Sequence, residues 1–112
     1  MNFNSNKAIY LQIADFICEN ILLENWKTGE RIPSVREFAV NIEVNPNTVM
    51  RTYSFLQDQD IIFNKRGIGY FISEDAFEKT LKLKKEEFMN KDLPEFIKKI
   101  KLLNIDPKDI LS

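Results

Sequence analysis

Apolar residues recur at helical spacing in two neighbouring segments near the middle of the chain. Val49, Tyr53 and Leu56 follow the i, i+4, i+7 spacing of a helix that packs one face on a core. A second helical stripe lies upstream and consists of Val35, Phe38, Ala39 and Ile42. Only a short turn around residues 43–45 separates the two stripes, and this arrangement predicts a helix-turn-helix.

Polar residues mark where both predicted helices begin. Ser34 precedes Glu37 by three residues, which is the spacing of a capping box, and Pro33 restricts the backbone just before it. Asn45 suits the cap of the second helix, and Pro46 suits its first helical position. The outward face of that helix then carries Asn47, Arg51 and Ser54, beside Thr48 in the first turn. A polar helix start followed by one arginine is typical of a recognition helix in a DNA groove.

Two strand-like runs follow, at residues 61–64 and 70–72, around a short tip that contains two glycines. Lys65 and Arg66 place positive charge at this tip, and the glycines allow positive φ there. Since a third, N-terminal helix precedes the pair, the pattern predicts a winged helix-turn-helix over residues 1–73. The expected fold class is mainly α with one small β-hairpin.

The remaining residues, 74–112, predict an α-helical tail. Ser73 is positioned to cap its first helix, Asp92 to restart a helix at Pro94, and Asn104 to end that helix in the left-handed conformation. Its apolar residues at helical spacing are Phe77, Leu81, Phe88, Phe96, Ile97, Ile100 and Leu103. Two interpretations stay open: the tail completes the core of the monomer, or it pairs with a second copy because helices this short cannot bury both faces.

Several ordered blocks of the sequence resemble the GntR family of bacterial transcription regulators. The matching blocks are residues 9–13, 29–39, 44–49 and 66–72, together with Tyr53 and Leu56. The Asn-Pro-Asn-Thr-Val segment at residues 45–49 and the short tail are most similar to YtrA-type members. The resemblance implies a repressor that dimerises through its tail and binds a palindromic operator. In a two-fold dimer the recognition helices would lie about 34 Å apart.

Taken with the resemblance, the pattern predicts eight DNA-binding residues: Ser34, Arg36, Asn47, Thr48, Arg51, Lys65, Arg66 and Gly67. Arg51 is the candidate for bidentate readout of a guanine, and the tip with Gly67 is expected at the minor groove. Each role has a plainer alternative: a surface ion pair of Arg36 with Glu37 or Glu43, capping alone for Asn47 and Thr48, and a solvated turn for the tip. Many family members have Arg where this chain has Met50, so their base contacts there do not transfer.

Net charge is the main argument against DNA binding. The chain carries a net charge of −1, and residues 1–73 contain seven Lys and Arg against eight Asp and Glu. A winged helix that contacts another protein is therefore the alternative function, and a steep loss of affinity with salt would separate the two.

The composition also excludes several classes of function. With no His and one Cys, the chain lacks a His-dependent catalytic dyad and a zinc cluster, so neither an enzyme nor a metal or other cofactor is expected. No apolar run approaches the ~18 residues of a membrane span. The start is polar at Asn2, Asn4, Ser5 and Asn6, which favours a cytoplasmic location. A small-molecule effector remains open, although no polar cluster marks a pocket for one.

Overall fold

The computed structural model describes residues 6–111, and the polar residues Asn2, Asn4 and Ser5 lie outside this part. Its elements follow in the order α1 (Ile9–Leu22), α2 (Val35–Ile42), α3 (Pro46–Asp58), β1 (Ile62–Lys65), β2 (Gly69–Ile72), α4 (Ala76–Glu87), a π-helical segment (Phe88–Asp92), α5 (Leu93–Leu102) and α6 (Lys108–Leu111). The predicted fold class, mainly α with one hairpin, is confirmed. Within residues 6–111, no helix combines the length and the apolar character needed to cross a membrane.

Contacts divide the chain into two compact units, Met1–Thr80 and Leu81–Ser112. The division falls inside α4, later than the sequence-based boundary after residue 73. The first five residues of α4 belong to the first unit, and Ala76 and Thr80 among them are fully buried.

In the first unit, α1 and α3 pack against each other through apolar stripes. Ile13 and Ile17 lie one helical turn apart on α1 and are completely buried, as are Val49 and Leu56 on α3. Thr52 is also buried in this contact, where its hydroxyl donates to the Tyr10 carbonyl at 2.8 Å. The apolar spacing of α3 therefore predicted its buried face correctly.

Side chains that cap α2 and α3 set the geometry of the turn between them. The Ser34 hydroxyl accepts a hydrogen bond from the Glu37 N–H at 3.1 Å, and the Ser34 N–H donates to the Glu37 carboxylate at 3.2 Å. Glu43 ends α2 with a left-handed φ of 56°, and Asn45 then caps α3 by accepting from the Asn47 N–H at 2.8 Å. Both predicted caps are confirmed.

The β-hairpin gains a third strand-like segment that local sequence did not predict. β1 and β2 pair antiparallel from Ile62 opposite Ile72 to Lys65 opposite Gly69. Arg31 forms a β-bridge with Phe71, so the segment before α2 joins the outer edge of β2. The hairpin of β1 and β2, which is the wing of the fold, is thereby attached directly to the segment that leads into α2.

The tail differs from the prediction at two helix starts. α4 begins at Ala76, because the residues after Ser73 form a turn in which the Ala76 N–H donates to the Ser73 carbonyl at 3.1 Å. α5 begins at Leu93, within the predicted restart, but the cap at Asp92 is wrong, since Asp92 is helical, with φ −66° and ψ −43°, and makes no side-chain cap. Pro94 cannot donate to the carbonyl of Asn90 and would clash with it, and the widened π-helical segment accommodates that conflict without ending the helix. Asn104 ends α5 as predicted, with a left-handed φ of 54°.

Candidate nucleic-acid interface

The first turn of α3 presents polar side chains to solvent. Asn45 provides the cap, so the side chains of Asn47 and Thr48 have no capping role among the described residues. Asn47 is exposed and Thr48 is half-buried. The backbone N–H groups of Asn47, Thr48 and Val49 all donate to Asn45, so the side chains of Asn47 and Thr48 are the groups left for an external partner, at the positive end of the helix dipole. This turn can therefore donate hydrogen bonds to phosphates or base edges.

Arg51 lies one turn further along α3, and its guanidinium stacks on an aromatic ring of α1. The guanidinium carbon lies 4.0 Å from the centroid of the Tyr10 ring. Together the start of α1 and the start of α3 form a shallow depression of about 370 Å³. Its lining residues are Ala8, Ile9, Tyr10, Asn47, Thr48 and Arg51.

The start of α2 carries Arg36 on its surface. Arg36 is exposed, and within residues 6–111 it forms no ion pair, so the predicted alternative of a bridge to Glu37 or Glu43 is absent from this conformation. The Ser34 backbone and side-chain hydrogen bonds hold the pKa of Glu37 below its ordinary value, and the positive charge of Arg31 lowers it further. Glu37 is therefore a charged capping residue bound to its own helix start.

The wing tip exposes Lys65, Arg66 and Gly67 together. A turn closes it, in which the Ile68 N–H donates to the Lys65 carbonyl at 2.9 Å, and Gly67 adopts a left-handed φ of 78°. Lys65 leans towards the Phe71 ring, with its amino nitrogen 5.9 Å from the centroid. The tip thus projects two cations on a tight turn.

Arg31 is a cation of this surface that the sequence analysis did not predict as a site. Its side chain lies across the backbone of Gly69, where a Cβ atom would be 2.9 Å from Nε. Arg31 is exposed and sits between the wing and Glu37 at the start of α2. The sequence showed only a basic residue two positions before Pro33 within a block that resembles the family, because the β-bridge that places Arg31 depends on distant Phe71.

The distribution of ion pairs explains how an acidic chain keeps a cationic surface. Asp15 pairs with Lys7 at 2.6 Å, and Lys79 lies 3.7 Å from Asp60 and 3.2 Å from Asp75. By contrast, no ion pair within residues 6–111 involves the cations of the three elements described above, Arg31, Arg36, Arg51, Lys65 and Arg66. Their charges are available to an external anion. No group of three His, Cys, Asp or Glu in the described part of the chain could hold a metal ion.

The predicted tail residues differ widely in exposure. Phe77 belongs to the first unit and is partly exposed, whereas the other six belong to the second unit. Phe88, Phe96, Ile97 and Leu103 are exposed, Leu81 is half-buried, and Ile100 is buried in the single chain.

Comparison with known proteins decides the family. The model of the bacterial regulatory proteins of the gntR family matches residues 9–72, more than half of the chain. The chain belongs to the GntR family. The match covers every element from α1 to β2, which are the elements that carry the surface described above.

Relatives of this GntR-family chain include two regulators from Bacillus subtilis. The HTH-type transcriptional regulator YhcF is 38% identical over 110 residues, which cover 98% of this chain and 89% of YhcF. The HTH-type transcriptional repressor YtrA is 44% identical over 72 residues, which cover 64% of this chain and 55% of YtrA.

Solved structures extend the similarity through the tail. A GntR-family regulator from Bacteroides thetaiotaomicron has 48% identity and a TM-score of 0.73, covering 92% of this chain and 89% of that one. The GntR-family transcription factor YtrA from Sulfolobus acidocaldarius has 27% identity and a TM-score of 0.64, covering 93% and 97%. The predicted resemblance to YtrA-type regulators is confirmed. The chain is a DNA-binding transcriptional regulator and not an enzyme.

Proposed function

We propose that this GntR-family regulator is a cytoplasmic repressor that binds a palindromic operator as a homodimer and reads its sequence with the start of α3. The observation that carries the proposal is the set of cations without ion-pair partners on three elements of one unit: the start of α2, the start of α3 and the wing tip. Phosphate oxygens are the anions that such a surface fits on a duplex.

Base readout is assigned to the first turns of α3. Arg51 would donate two hydrogen bonds to a guanine, and Asn47 and Thr48 would contact neighbouring base edges or phosphates. The wing tip, Lys65 to Gly67, would follow the adjacent minor groove, where the absence of a side chain at Gly67 allows close approach. Ser34 and Arg36 would contact the backbone at the start of α2.

Arg31 would add a phosphate contact to the residues predicted from sequence. It lies between two elements of the interface, and Gly69 leaves room for its guanidinium against the wing. The β-bridge to Phe71 already fixes the backbone of Arg31, so DNA binding would cost little conformational entropy in that backbone.

Dimerisation is assigned to the tail. The second unit leaves Phe88 50% exposed and Leu103 67% exposed, and Phe96 and Ile97 are also partly exposed. Several large apolar side chains exposed on a unit this small are typical of a surface that another chain covers. A second copy of the same tail would do so and would double the cationic surface that each operator meets.

Repression needs no further surface on the protein. A dimer that occupies a promoter excludes polymerase by steric overlap alone. The printed name of the Bacillus subtilis relative YtrA, a transcriptional repressor, agrees with this direction of control.

Fluorescence anisotropy with labelled duplex DNA tests the DNA-binding part. The probes are DNA from immediately upstream of the gene, a site selected from a random duplex pool, and a scrambled duplex. We expect a preference for the first or second probe and an affinity that falls steeply with salt. Four phosphate contacts per subunit would give a slope of log affinity against log salt of about −7 for a dimer.

Variants distinguish residues that would read the base sequence from residues that would contact phosphates. Arg51→Ala should reduce the preference for the selected site. Lys65→Ala should weaken binding to all three probes and make the slope of log affinity against log salt shallower by roughly 2 per dimer. Lys82→Ala, at an exposed position of α4, is the matched control and should change neither the preference nor the salt dependence. Equal binding of all three probes by the wild type would refute sequence-specific recognition.

Sedimentation equilibrium tests the dimer. The wild type should show about twice the 13.2 kDa mass of the chain. Phe96→Glu should give a monomer with weak operator binding, because a carboxylate would be buried at the interface. Lys99→Glu changes charge at an exposed position of the same helix and should remain dimeric. If the wild type is a monomer at micromolar concentration, the result would instead favour a tail that completes the core of its own chain.

A further inference from the structure

We propose that Tyr10 of α1 is a positioning residue for DNA reading, because it holds the Arg51 guanidinium flat and leaves the guanidinium edge free for a base. The inference rests on the proposed recognition role of α3. It adds a residue of α1, outside the helix-turn-helix and the wing, to the determinants of operator specificity.

Tyr10 is itself fixed against the recognition helix at two points. Its backbone carbonyl accepts a hydrogen bond from the Thr52 hydroxyl at 2.8 Å, and Thr52 is completely buried. Its ring meets Phe55 edge-on, with centroids 6.5 Å apart and an interplanar angle of 74°. The ring therefore presents a fixed face to α3 at the level of Arg51.

The stack on Tyr10 occupies the flat face of the Arg51 guanidinium and leaves its edge free. A cation–π contact engages the flat face, whereas all five N–H donors lie in the guanidinium plane. The 4.0 Å distance to the ring centroid places the face in contact. No described residue accepts a hydrogen bond from those donors. The edge is thus free to donate to two acceptors of one base, which is the geometry of guanine readout.

Preorganisation is the expected benefit. A free arginine side chain samples many rotamers and must lose that freedom when it binds. The Tyr10 ring removes part of this freedom before DNA arrives. Its loss should therefore affect the contact that Arg51 makes with its base and leave the phosphate contacts of Arg36 and the wing unchanged.

The test compares Tyr10→Leu, which removes the aromatic face, with Tyr10→Phe, which keeps it. The measured quantity is the affinity ratio between the selected duplex and the scrambled duplex, at one fixed salt concentration. We expect Tyr10→Leu to lower the ratio about fivefold, in line with an exposed cation–π contact, and Tyr10→Phe to change it less than twofold. Binding to the scrambled duplex should stay the same in both variants.

A double-mutant cycle separates positioning from general packing. In an Arg51→Ala background, Tyr10→Leu should produce no further loss of the ratio. An equal loss in both backgrounds would overturn the proposal in favour of a packing role for Tyr10. An unchanged or raised ratio for Tyr10→Leu alone would overturn it as well, since the stack would then be irrelevant or would restrain Arg51 from DNA.

Two further measurements keep these outcomes distinct. In the free protein, the side-chain NMR signals of Arg51 should show a ring-current shift that Tyr10→Leu abolishes and Tyr10→Phe retains. Circular dichroism checks that each variant is folded.

If the wild type itself shows no preference for any selected duplex, the proposed function fails and this inference fails with it. A specific wild type with an unaffected Tyr10→Leu variant refutes the inference alone.

Discussion

The hydroxyl of Tyr53 joins α3 to the segment that leads into α2, and Tyr53→Phe tests how much that link stabilises the fold. The hydroxyl donates to the Pro33 carbonyl at 2.7 Å, and Tyr53 is completely buried. Its ring packs against Phe38 and Tyr70, with centroid distances of 6.2 and 4.9 Å. The substitution keeps these ring contacts and removes one hydrogen bond.

The expected loss of stability depends on the Pro33 carbonyl, which Tyr53→Phe leaves without its hydrogen-bond donor. A buried hydrogen bond contributes about 0.5–1.5 kcal/mol net, and a carbonyl left without a donor costs about 1–3 kcal/mol. Pro33 is only half-buried, so water can partly replace the donor. We therefore expect Tyr53→Phe to lower the free energy of unfolding by about 1–1.5 kcal/mol.

Urea unfolding followed by circular dichroism provides the assay. The midpoint should fall while the m-value stays constant, because the surface exposed on unfolding is unchanged. Tyr70→Phe is the matched control: Tyr70 is half-buried, and its hydroxyl makes no hydrogen bond within the described residues. The control should lose less than about 0.5 kcal/mol. An equal loss in both variants would refute the link between Tyr53 and Pro33.

Alkaline unfolding gives an independent check on the same side chain. Burial raises the pKa of Tyr53 above its ordinary value of 10.0, and the neighbouring Tyr70 and Glu37 add to that rise. The unfolded state therefore releases the phenol proton first, and the free energy of unfolding should decrease as pH rises above 10.0. Tyr53 contributes up to about 1.4 kcal/mol per pH unit to this decrease, which Tyr53→Phe should remove.

Two further predictions concern the wing and the start of α2. Gly69→Ala should cost about 1–3 kcal/mol in urea unfolding and weaken DNA binding, because the new Cβ displaces Arg31 and φ is 144°. Gly67→Ala, with φ 78° and open space, should cost only about 1 kcal/mol. An equal cost for both would contradict the Arg31 contact. Glu37 has a lowered pKa, so stability should be lost as pH falls below 4.5. Ser34→Ala should flatten that loss in urea titrations between about pH 3 and 6.

Local sequence was sufficient to predict the starts of α2 and α3, which depend on neighbouring residues. Ser34 with Glu37 and Asn45 with Pro46 define helix starts through hydrogen bonds that span two or three residues. Asp60, just after α3, adopts a left-handed φ of 59°, a conformation that Asp tolerates better than most residues. The spacing of apolar residues likewise determined the buried face of α3 and the outward face that carries Arg51.

Only the tertiary structure decided the features that depend on distant residues. The Arg51 guanidinium rests on Tyr10 and Arg31 rests on Gly69, although neither pair shares a local pattern. Pro94 suggested a helix start, yet the helix continues through a π-helical segment. Spacing along the chain specifies which face of an element is apolar, whereas the partner of a polar side chain depends on which elements pack together. The contacts of Arg51 with Tyr10 and of Arg31 with Gly69 therefore become visible only after α1, α3 and the wing have assembled.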